Sequence, residues 1–289
     1  LMKKSPKKKK IYLASFFIAL FLFVLAGCGQ KAQNIPAKRV TVSLTHTKTI
    51  PTFFFHGWGS SANAETQMAN AAKKVGVSNT IIQADVSKNG TVKLKGTIPK
   101  NAKNPIIKVN LEDNQSGKTS YVKDVITAIS NKYHYAKINL VGHSMGNLQI
   151  ANYINENYDN KKLPKINKVV SIAGHYDGYL GEEAGQKAKI KNKKTGEPDI
   201  YSDGFKQLLP LRKHYPRQIE VLNIYGNKED GSNSDGSVSV ASVQSYKYLI
   251  NGRAKSYREV EIKGKNAQHS KLHENKEVDK LLIDFLWKE

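Results

Sequence analysis

Residues 138–147 read Ile-Asn-Leu-Val-Gly-His-Ser-Met-Gly-Asn, and this stretch indicates the fold of the chain. The largely apolar start of this stretch predicts a buried strand, and the spacing of apolar residues beyond it predicts an amphipathic helix that begins near Met145. Between the two lies a sharp turn with the pattern Gly-x-Ser-x-Gly. In such a turn the serine hydroxyl stands clear of the sheet, and glycines avoid a collision of Cβ atoms with neighbouring backbone. We therefore predict that Ser144 is a nucleophile, supported by Gly142 and Gly146.

Composition limits the class of protein. The chain has 289 residues, of which 39% are hydrophobic, so it can bury a full core as one sizeable α/β domain or two small ones. Its formal net charge is +22 at pH 7. A basic surface of this kind suits an anionic envelope or an anionic lipid. The basic residues are scattered and no nucleic-acid-binding module is recognisable, so we expect a solvated basic surface and no nucleic-acid partner.

The beginning of the chain predicts a secretory leader. Residues 3–10 hold six lysines and no acid, and a mostly apolar run follows at 11–25. That run is short for a membrane span, which needs about 20 apolar residues. It ends in Leu-Ala-Gly followed by Cys28, the single cysteine of the chain, and this box resembles the signal of bacterial lipoproteins. The resemblance implies that Cys28 is acylated and that the chain is cut just before it.

An acylated cysteine would anchor the mature chain, because two buried acyl chains suffice for stable membrane attachment. We therefore predict a signal peptide at 1–27, a lipid-anchored tether at 28–45 and a folded domain at 46–289, located on the extracellular face of the cell membrane. An uncleaved signal anchor and an ordinary secretory signal with a chance cysteine remain alternatives.

The folded part alternates strands with helices, which predicts a mostly parallel sheet covered on both faces. Strands are predicted at 50–55, 80–86, 138–141, 168–174, 219–226 and 257–262, and helices at 63–75, 117–133, 238–249 and 274–287 as well as after Ser144. Residues 87–110 alternate in polarity and contain Asn89-Gly90, which predicts an antiparallel hairpin extension. The long polar stretch 175–218 falls where a cap or lid would lie, although a plain surface insertion is equally compatible with it.

The first predicted strand runs into His56-Gly57-Trp58-Gly59. Gly57 allows the backbone to turn so that the next N–H points toward the nucleophile. We predict that the N–H groups of Trp58 and Met145 form an oxyanion hole, with His56 and Gly57 as the supporting loop.

A catalytic base is expected after the last strand, because the triad on this type of sheet runs in the order serine, acid, histidine. Four histidines follow Ser144, at positions 175, 214, 269 and 273. The position requirement leaves His269 and His273, of which His269 fits better. The two have the spacing of metal ligands on a helix, but Ser270 stands where the zinc-binding pattern needs glutamate. We therefore predict no metal.

The acid is expected in the loop that follows the strand predicted at 219–226. This loop reads Ser-Asp-Gly-Ser-Val at 234–238, which is similar to the surroundings of the acid in many lipases and esterases. We predict Asp235 as the acid and retain Asp230 and Asp177 as alternatives.

Four motifs together resemble one family. His-Gly-Trp-Gly at 56–59, Gly-His-Ser-Met-Gly at 142–146, Ser-Asp-Gly-Ser-Val at 234–238 and the C-terminal stretch 268–287 resemble the Gram-positive cell-surface hydrolases, an α/β-hydrolase family of unknown function. The resemblance covers roughly the whole of the predicted domain. It implies an α/β-hydrolase fold with Ser144 as nucleophile, Asp235 as acid and His269 as base, and it implies no particular substrate.

The sequence thus predicts a lipid-anchored extracellular serine hydrolase without a cofactor. Ester hydrolysis of the carboxylesterase or lipase kind, on a small ester or lipid-like substrate, is the leading hypothesis. Two alternatives are an envelope binding protein with a vestigial triad, and an acyltransferase or thioesterase with the same triad. The oligomeric state is left open.

Overall fold

The computed structural model describes residues 49–250 and 252–288 of the chain. They form an eight-stranded sheet and a separate two-stranded hairpin. The predicted signal peptide and the whole predicted tether, including the predicted lipidation site Cys28, lie outside the described residues. Within the described part, no helix is both long and apolar enough to cross a membrane.

The strands, in chain order, are Thr52–Phe55 (β1), Ile81–Val86 (β2), Val92–Lys95 (β3), Ile106–Leu111 (β4), Lys137–His143 (β5), Lys165–Ile172 (β6), Ile190–Asn192 (β7), Glu197–Pro198 (β8), Glu220–Asn227 (β9) and Ser256–Lys263 (β10). The α-helices are Thr66–Lys74 (α1), Ser120–Tyr133 (α2), Met145–Asn157 (α3), Glu183–Lys187 (α4), Asp203–Leu208 (α5), Leu211–His214 (α6), Val240–Gln244 (α7), Tyr246–Ile250 (α8) and Lys276–Trp287 (α9).

The large sheet has the order β10-β9-β6-β5-β1-β4-β2-β3. Every pair of neighbours is parallel except β2 and β3, which pair antiparallel. Strand β5, which leads into Ser144, lies near the middle between β1 and β6. Because parallel strands end at the same edge of a sheet, the loops after β1, β5, β6, β9 and β10 all emerge on one side.

The core is divided between the two faces of the sheet, as the pleat requires. Phe53 and Phe55 of β1 point toward the face covered by α2 and α3, where Val122 and Ile150 are also buried. Phe54 points to the opposite face, which is covered by α1 and α9. Both faces are therefore covered by helices, and the predicted mostly parallel sheet is confirmed.

The stretch 87–110 differs from its prediction in part. Its first half does form a hairpin, since β3 pairs antiparallel with β2. The prediction is wrong for the second half of this stretch. There β4 is an interior strand that pairs parallel with both β1 and β2. The alternating apolar pattern is correct for a strand, but the partner of a strand depends on distant parts of the chain.

The predicted helix at 238–249 is divided into two short helices, α7 and α8. The predicted helix at 274–287 begins later, at Lys276, and is preceded by a 3₁₀ segment at His269–Glu274. Asn275 caps α9 by accepting hydrogen bonds from the N–H groups of Glu277 and Val278.

The stretch 175–218 is tied closely to the main domain. Phe205 of α5 and Leu211 of α6 are fully buried in the same core as α2 and α3. The residues of this stretch that line the cavity at Ser144 are His175 and Tyr179.

Candidate active site

The turn at Ser144 has the backbone of a strained elbow. Ser144 has φ 52° and ψ −119°, a conformation that costs energy for any residue with a side chain. Two hydrogen bonds hold it against the end of β6, since the Ser144 N–H and the Asn147 Nδ2 both donate to the carbonyl oxygen of Ile172, at 3.0 and 2.8 Å. The sequence analysis did not identify this role of Asn147. The only signal in the sequence was a polar residue three positions after the serine, in the first turn of the predicted helix.

The glycines around Ser144 are required by close packing. A Cβ on Gly142 would lie 2.8 Å from the Asn147 backbone nitrogen, and one on Gly146 would collide with the Phe55 carbonyl oxygen at the end of β1. Real Cβ atoms do not approach backbone so closely, so a side chain at either position would push the elbow away from the sheet.

The loop after β1 lies directly against the elbow. A Cβ on Gly57 would lie 3.1 Å from the Cβ of Ser144. His56 is buried and connects this loop to the end of β4, because its Nε2 accepts a hydrogen bond from the Leu111 N–H at 3.1 Å. The ring proton must therefore be on Nδ1, which donates to the Gly57 carbonyl oxygen at 2.8 Å. Burial lowers the pKa of His56, which keeps the ring in this neutral form.

This arrangement orients one predicted oxyanion donor. The Gly57 carbonyl and the Trp58 N–H belong to the same planar peptide, so the bond from His56 also fixes the direction of that N–H. The second predicted donor, the Met145 N–H, is at the first position of α3 and has no acceptor within its own helix. The Trp58 N–H likewise has no acceptor among the described residues. Both N–H groups are therefore available, and the second lies at the positive end of a helix dipole.

His269 and Asp235 are held together by more than one contact. The Asp235 Oδ2 lies 2.7 Å from the His269 Nδ1, and the His269 N–H donates to the Asp235 carbonyl oxygen at 3.0 Å. The other carboxylate oxygen accepts from the N–H groups of Ser237 and Val238, at 2.8 and 2.7 Å. Asp235 is only 1% exposed. These contacts leave the His269 Nε2 without a partner in the described chain.

The alternative candidates have other partners. Asp230 forms a surface ion pair with Lys228 at 2.8 Å. Asp177 is buried, but its Oδ1 accepts from the Ser202 N–H at 2.7 Å, at the start of α5. The His273 ring lies 5.0 Å from that of His143, and its Nδ1 has no partner among the described residues. Of the acids considered, Asp235 is the one that contacts a candidate base.

Two further residues of the site were missed by sequence reasoning. A Cβ on Gly226, near the end of β9, would collide with the Ala267 carbonyl oxygen and lie 3.0 Å from the Asp235 Cβ, so glycine here lets the two loops meet. His143 is the residue before Ser144 in the elbow motif. The centroid of its ring lies 4.8 Å from that of His269, and its Nε2 donates to the His269 carbonyl oxygen at 3.1 Å. Burial, together with the nearby His269 and His273, holds the pKa of His143 well below its usual value.

The elbow, the loop after β1 and the histidine loop enclose one cavity of about 530 Å³. This volume lies in the range of small-molecule sites. The residues that line it are Gly57, Trp58, Ser60, His143, Ser144, Met145, His175, Tyr179, Ser237, Val238, His269, Ser270 and His273. The structure therefore brings Ser144, His269 and both predicted oxyanion donors to one space. Within residues 49–250 and 252–288, no group of three or more His, Cys, Asp and Glu side chains has an arrangement that could hold a metal.

This sheet, with a serine elbow after a central strand and with Asp235 and His269 on the loops after β9 and β10, defines the class of α/β-hydrolases. Comparison with known families agrees: the profile described as "alpha/beta hydrolase of unknown function (DUF915)" matches residues 40–289. The chain belongs to this family, and the family predicted from the four motifs is confirmed.

Two crystal structures support the same fold. The product of the lin2722 gene of Listeria innocua is 25% identical, with a TM-score of 0.77 over 83% of this chain and 95% of that one. A protein described as a candidate cell surface hydrolase of Lactobacillus plantarum is 22% identical, with a TM-score of 0.64 over 83% of this chain and 90% of that one. Among proteins of curated function, none matches.

Proposed function

We propose that this chain is a serine hydrolase that cleaves carboxylic esters by means of Ser144, His269 and Asp235. The observation that carries the proposal is the 2.7 Å contact between the His269 Nδ1 and the Asp235 Oδ2, beside a cavity that Ser144 and His269 both line. The acid holds one ring nitrogen as a donor, so the other is left as an acceptor for the proton of a nucleophile.

The chemistry follows from these positions. The Ser144 Oγ attacks the ester carbonyl carbon while its proton passes to the His269 Nε2, and Asp235 stabilises the imidazolium that forms. The negative oxygen of the tetrahedral intermediate accepts hydrogen bonds from the N–H groups of Trp58 and Met145. Collapse of the intermediate breaks the bond to the alcohol, which leaves with the proton from His269. Water, deprotonated by the same nitrogen, then attacks the acyl group and restores Ser144.

The oxyanion donors supply a large part of the expected rate. Removing one such donor costs about 3–4 kcal/mol of transition-state stabilisation in enzymes of this kind. Both donors here are backbone groups, so their positions depend on His56 and on the first turn of α3 rather than on a mobile side chain.

The test is turnover of p-nitrophenyl butyrate together with labelling by a fluorophosphonate probe. We expect Ser144→Ala to abolish both, because the probe and the substrate need the same hydroxyl. Ser232→Ala, a serine replacement on the exposed loop outside the cavity, is the matched control and should retain both. Absence of labelling in the folded parent protein would instead favour a binding protein with a vestigial triad. If adding an alcohol acceptor diverts the acyl group from water into a new ester, the enzyme is an acyltransferase.

We further propose that the enzyme acts on the extracellular face of the cell membrane, anchored by acylated Cys28. The support is the Leu-Ala-Gly-Cys box at the end of the apolar run. The parent chain should incorporate radiolabelled palmitate, whereas Cys28→Ala should not. Equal palmitate incorporation by the two chains would contradict the anchor.

A further inference from the structure

The charge of the cavity differs from that of the whole chain. The formal net charge is +22, yet none of the described residues that line the cavity is a lysine, arginine, aspartate or glutamate. Its polar lining residues are uncharged serines and aromatic residues together with histidines: Ser60, Ser144, Ser237, Ser270, Trp58, Tyr179, His143, His175, His269 and His273. A long-range field from the surface would favour anionic substrates, but the lining offers an anion no cation to pair with.

His175 is an imidazole of the cavity lining that lies outside the proposed triad. Its Nδ1 is buried and has no hydrogen-bond partner among the described residues. Its Nε2 also has no protein partner there and is absent from the fully buried polar atoms, and His175 lines the cavity at Ser144. An unpaired buried N–H is rarer in proteins than an unpaired acceptor, which places the proton on Nε2. We infer that His175 presents an N–H donor to the cavity that Ser144 also lines.

The neutral state of His175 has a physical cause. Burial and, to a smaller extent, the nearby His269 lower its pKa to about 4, while Asp235 acts in the opposite direction. Burial also lowers the pKa of His273, which lines the same cavity. At neutral pH these rings can donate or accept hydrogen bonds, but they supply no positive charge.

Two exposed aromatic side chains stand at the rim of the same cavity. Trp58 is 63% exposed and Tyr179 is 49% exposed, and both line the cavity. The Trp58 indole N–H donates to the Gln115 carbonyl oxygen at 3.1 Å, which limits its rotation. The Tyr179 ring meets the His175 ring edge-on at 6.3 Å. The rim therefore offers flat apolar faces around a neutral polar interior.

We propose that this cavity selects uncharged esters that carry hydroxyl or ether oxygens, with the His175 Nε2–H as a specificity-determining donor, and that it rejects esters bearing a carboxylate or phosphate. The inference rests on the proposed ester hydrolysis at Ser144. An anionic group entering the cavity would lose its water without gaining a cation. An uncharged hydroxyl would instead meet the donor of His175 and the hydroxyls of the lining.

The first experiment compares two ester pairs matched in shape. 4-Carbamoylphenyl butyrate and 4-carboxyphenyl butyrate differ in charge, and 4-(hydroxymethyl)phenyl butyrate and 4-ethylphenyl butyrate differ in one hydroxyl. We expect kcat/KM to favour the carbamoyl over the carboxy ester by ~10- to 100-fold, because a buried unpaired charge is costly. We expect the hydroxymethyl ester to be favoured over the ethyl ester by ~3- to 10-fold, the range of one net hydrogen bond.

The second experiment tests the role of His175. His175→Leu removes the donor and should abolish the preference for the hydroxymethyl ester, through a rise in KM. His175→Gln retains an N–H donor of similar reach and should keep much of the preference, which separates loss of the donor from damage to the fold. His175→Lys adds a cation and should narrow the gap between the carbamoyl and carboxy esters. His214→Leu, a change of the same kind at a residue that does not line the cavity, is the matched control.

Fluorophosphonate labelling of the parent protein separates the two proposals. If Ser144 is labelled but the carboxy ester is cleaved as fast as the carbamoyl ester, the selectivity inference is wrong and the hydrolase remains. If Ser144 is not labelled, the hydrolase proposal itself fails. A hydroxymethyl preference that survives in His175→Leu overturns the role given to His175.

Discussion

Asp235 shows how a carboxylate can be both buried and fixed. A buried carboxylate is tolerated when its oxygens are satisfied. Here one oxygen accepts two backbone N–H groups, from Ser237 and Val238, and the other faces the His269 Nδ1. The loop that carries Asp235 thus prevents rotation of the carboxylate, so the His269 ring is held in one orientation as well.

Asp235→Asn tests this geometry at the level of one atom. An amide nitrogen facing His269 would favour the wrong tautomer, so we expect kcat for p-nitrophenyl butyrate to fall by about 10³- to 10⁴-fold while the fold is retained. Asp230→Asn, in the same loop, removes only a surface ion pair with Lys228 and should leave kcat within about twofold. The assignment of the acid is wrong if the Asp230 variant is the inactive one.

At the scale of elements, the site depends on close packing between β1 and the elbow that joins β5 to α3. The two strands pair parallel, with Phe55 beside Gly142, and α3 begins so near β1 that Gly146 touches the backbone of Phe55. This proximity brings the N–H groups of Trp58 and Met145 to one cavity. The proposed oxyanion hole therefore depends on strand pairing and glycine packing together.

Gly146→Ala should disturb that contact. The added methyl group would collide with the Phe55 carbonyl oxygen, and we expect a loss of about 2–3 kcal/mol in the free energy of unfolding, as overpacking of a rigid site typically produces. Gly204→Ala is the matched control, because its nearest neighbour would be Ser202 Oγ at 4.0 Å. At this exposed position of α5 the change should raise stability by about 0.5–1 kcal/mol. Urea unfolding measures both, and equal midpoints for the two variants would contradict the close packing of the elbow.

At the scale of the whole molecule, one buried acid outside the cavity couples stability to pH. Glu65, just before α1, is 1% exposed, and both of its carboxylate oxygens lack partners among the described residues. Burial raises its pKa to about 8, while the nearby Lys108 offsets part of this effect. The folded chain therefore holds a proton on Glu65 at pH values where the unfolded chain has released it.

The sign of the pH dependence follows from this proton. Between pH 5 and pH 7.5 the folded state binds more protons at Glu65 than the unfolded state, so its contribution to stability falls as pH rises, by about 1.4 kcal/mol per pH unit at most. Glu65→Gln removes this contribution, so its stability relative to the parent chain should increase through this window and level off above pH 8. Urea unfolding at several pH values measures the difference, and parallel curves for the two proteins would show that Glu65 is ionised when folded.

The mostly parallel sheet and the family of the chain were predictable because both are indicated by local sequence patterns. Apolar runs of strand length alternate with amphipathic helices, and the elbow motif is contained in five adjacent residues. The wrong prediction of the partner of β4 has a non-local cause. The residues of this strand have the correct period for a strand, but pairing with β1 and β2 joins segments far apart in the chain. The stretch 175–218 was similarly ambiguous, because the burial of α5 and α6 depends on the helices of the main core.

The elbow could be identified from sequence alone, because its motif lies in five adjacent residues between a strand pattern and a helix pattern. The sequence also narrowed the base to two histidines and the acid to three aspartates. Which of these residues contact each other depends on the folded chain. The parallel register of β9 with β10 carries their loops to the same edge, and Gly226 lets those loops approach until Asp235 contacts His269. Such contacts join segments that are remote in sequence, so they cannot be deduced from the spacing of residues along the chain.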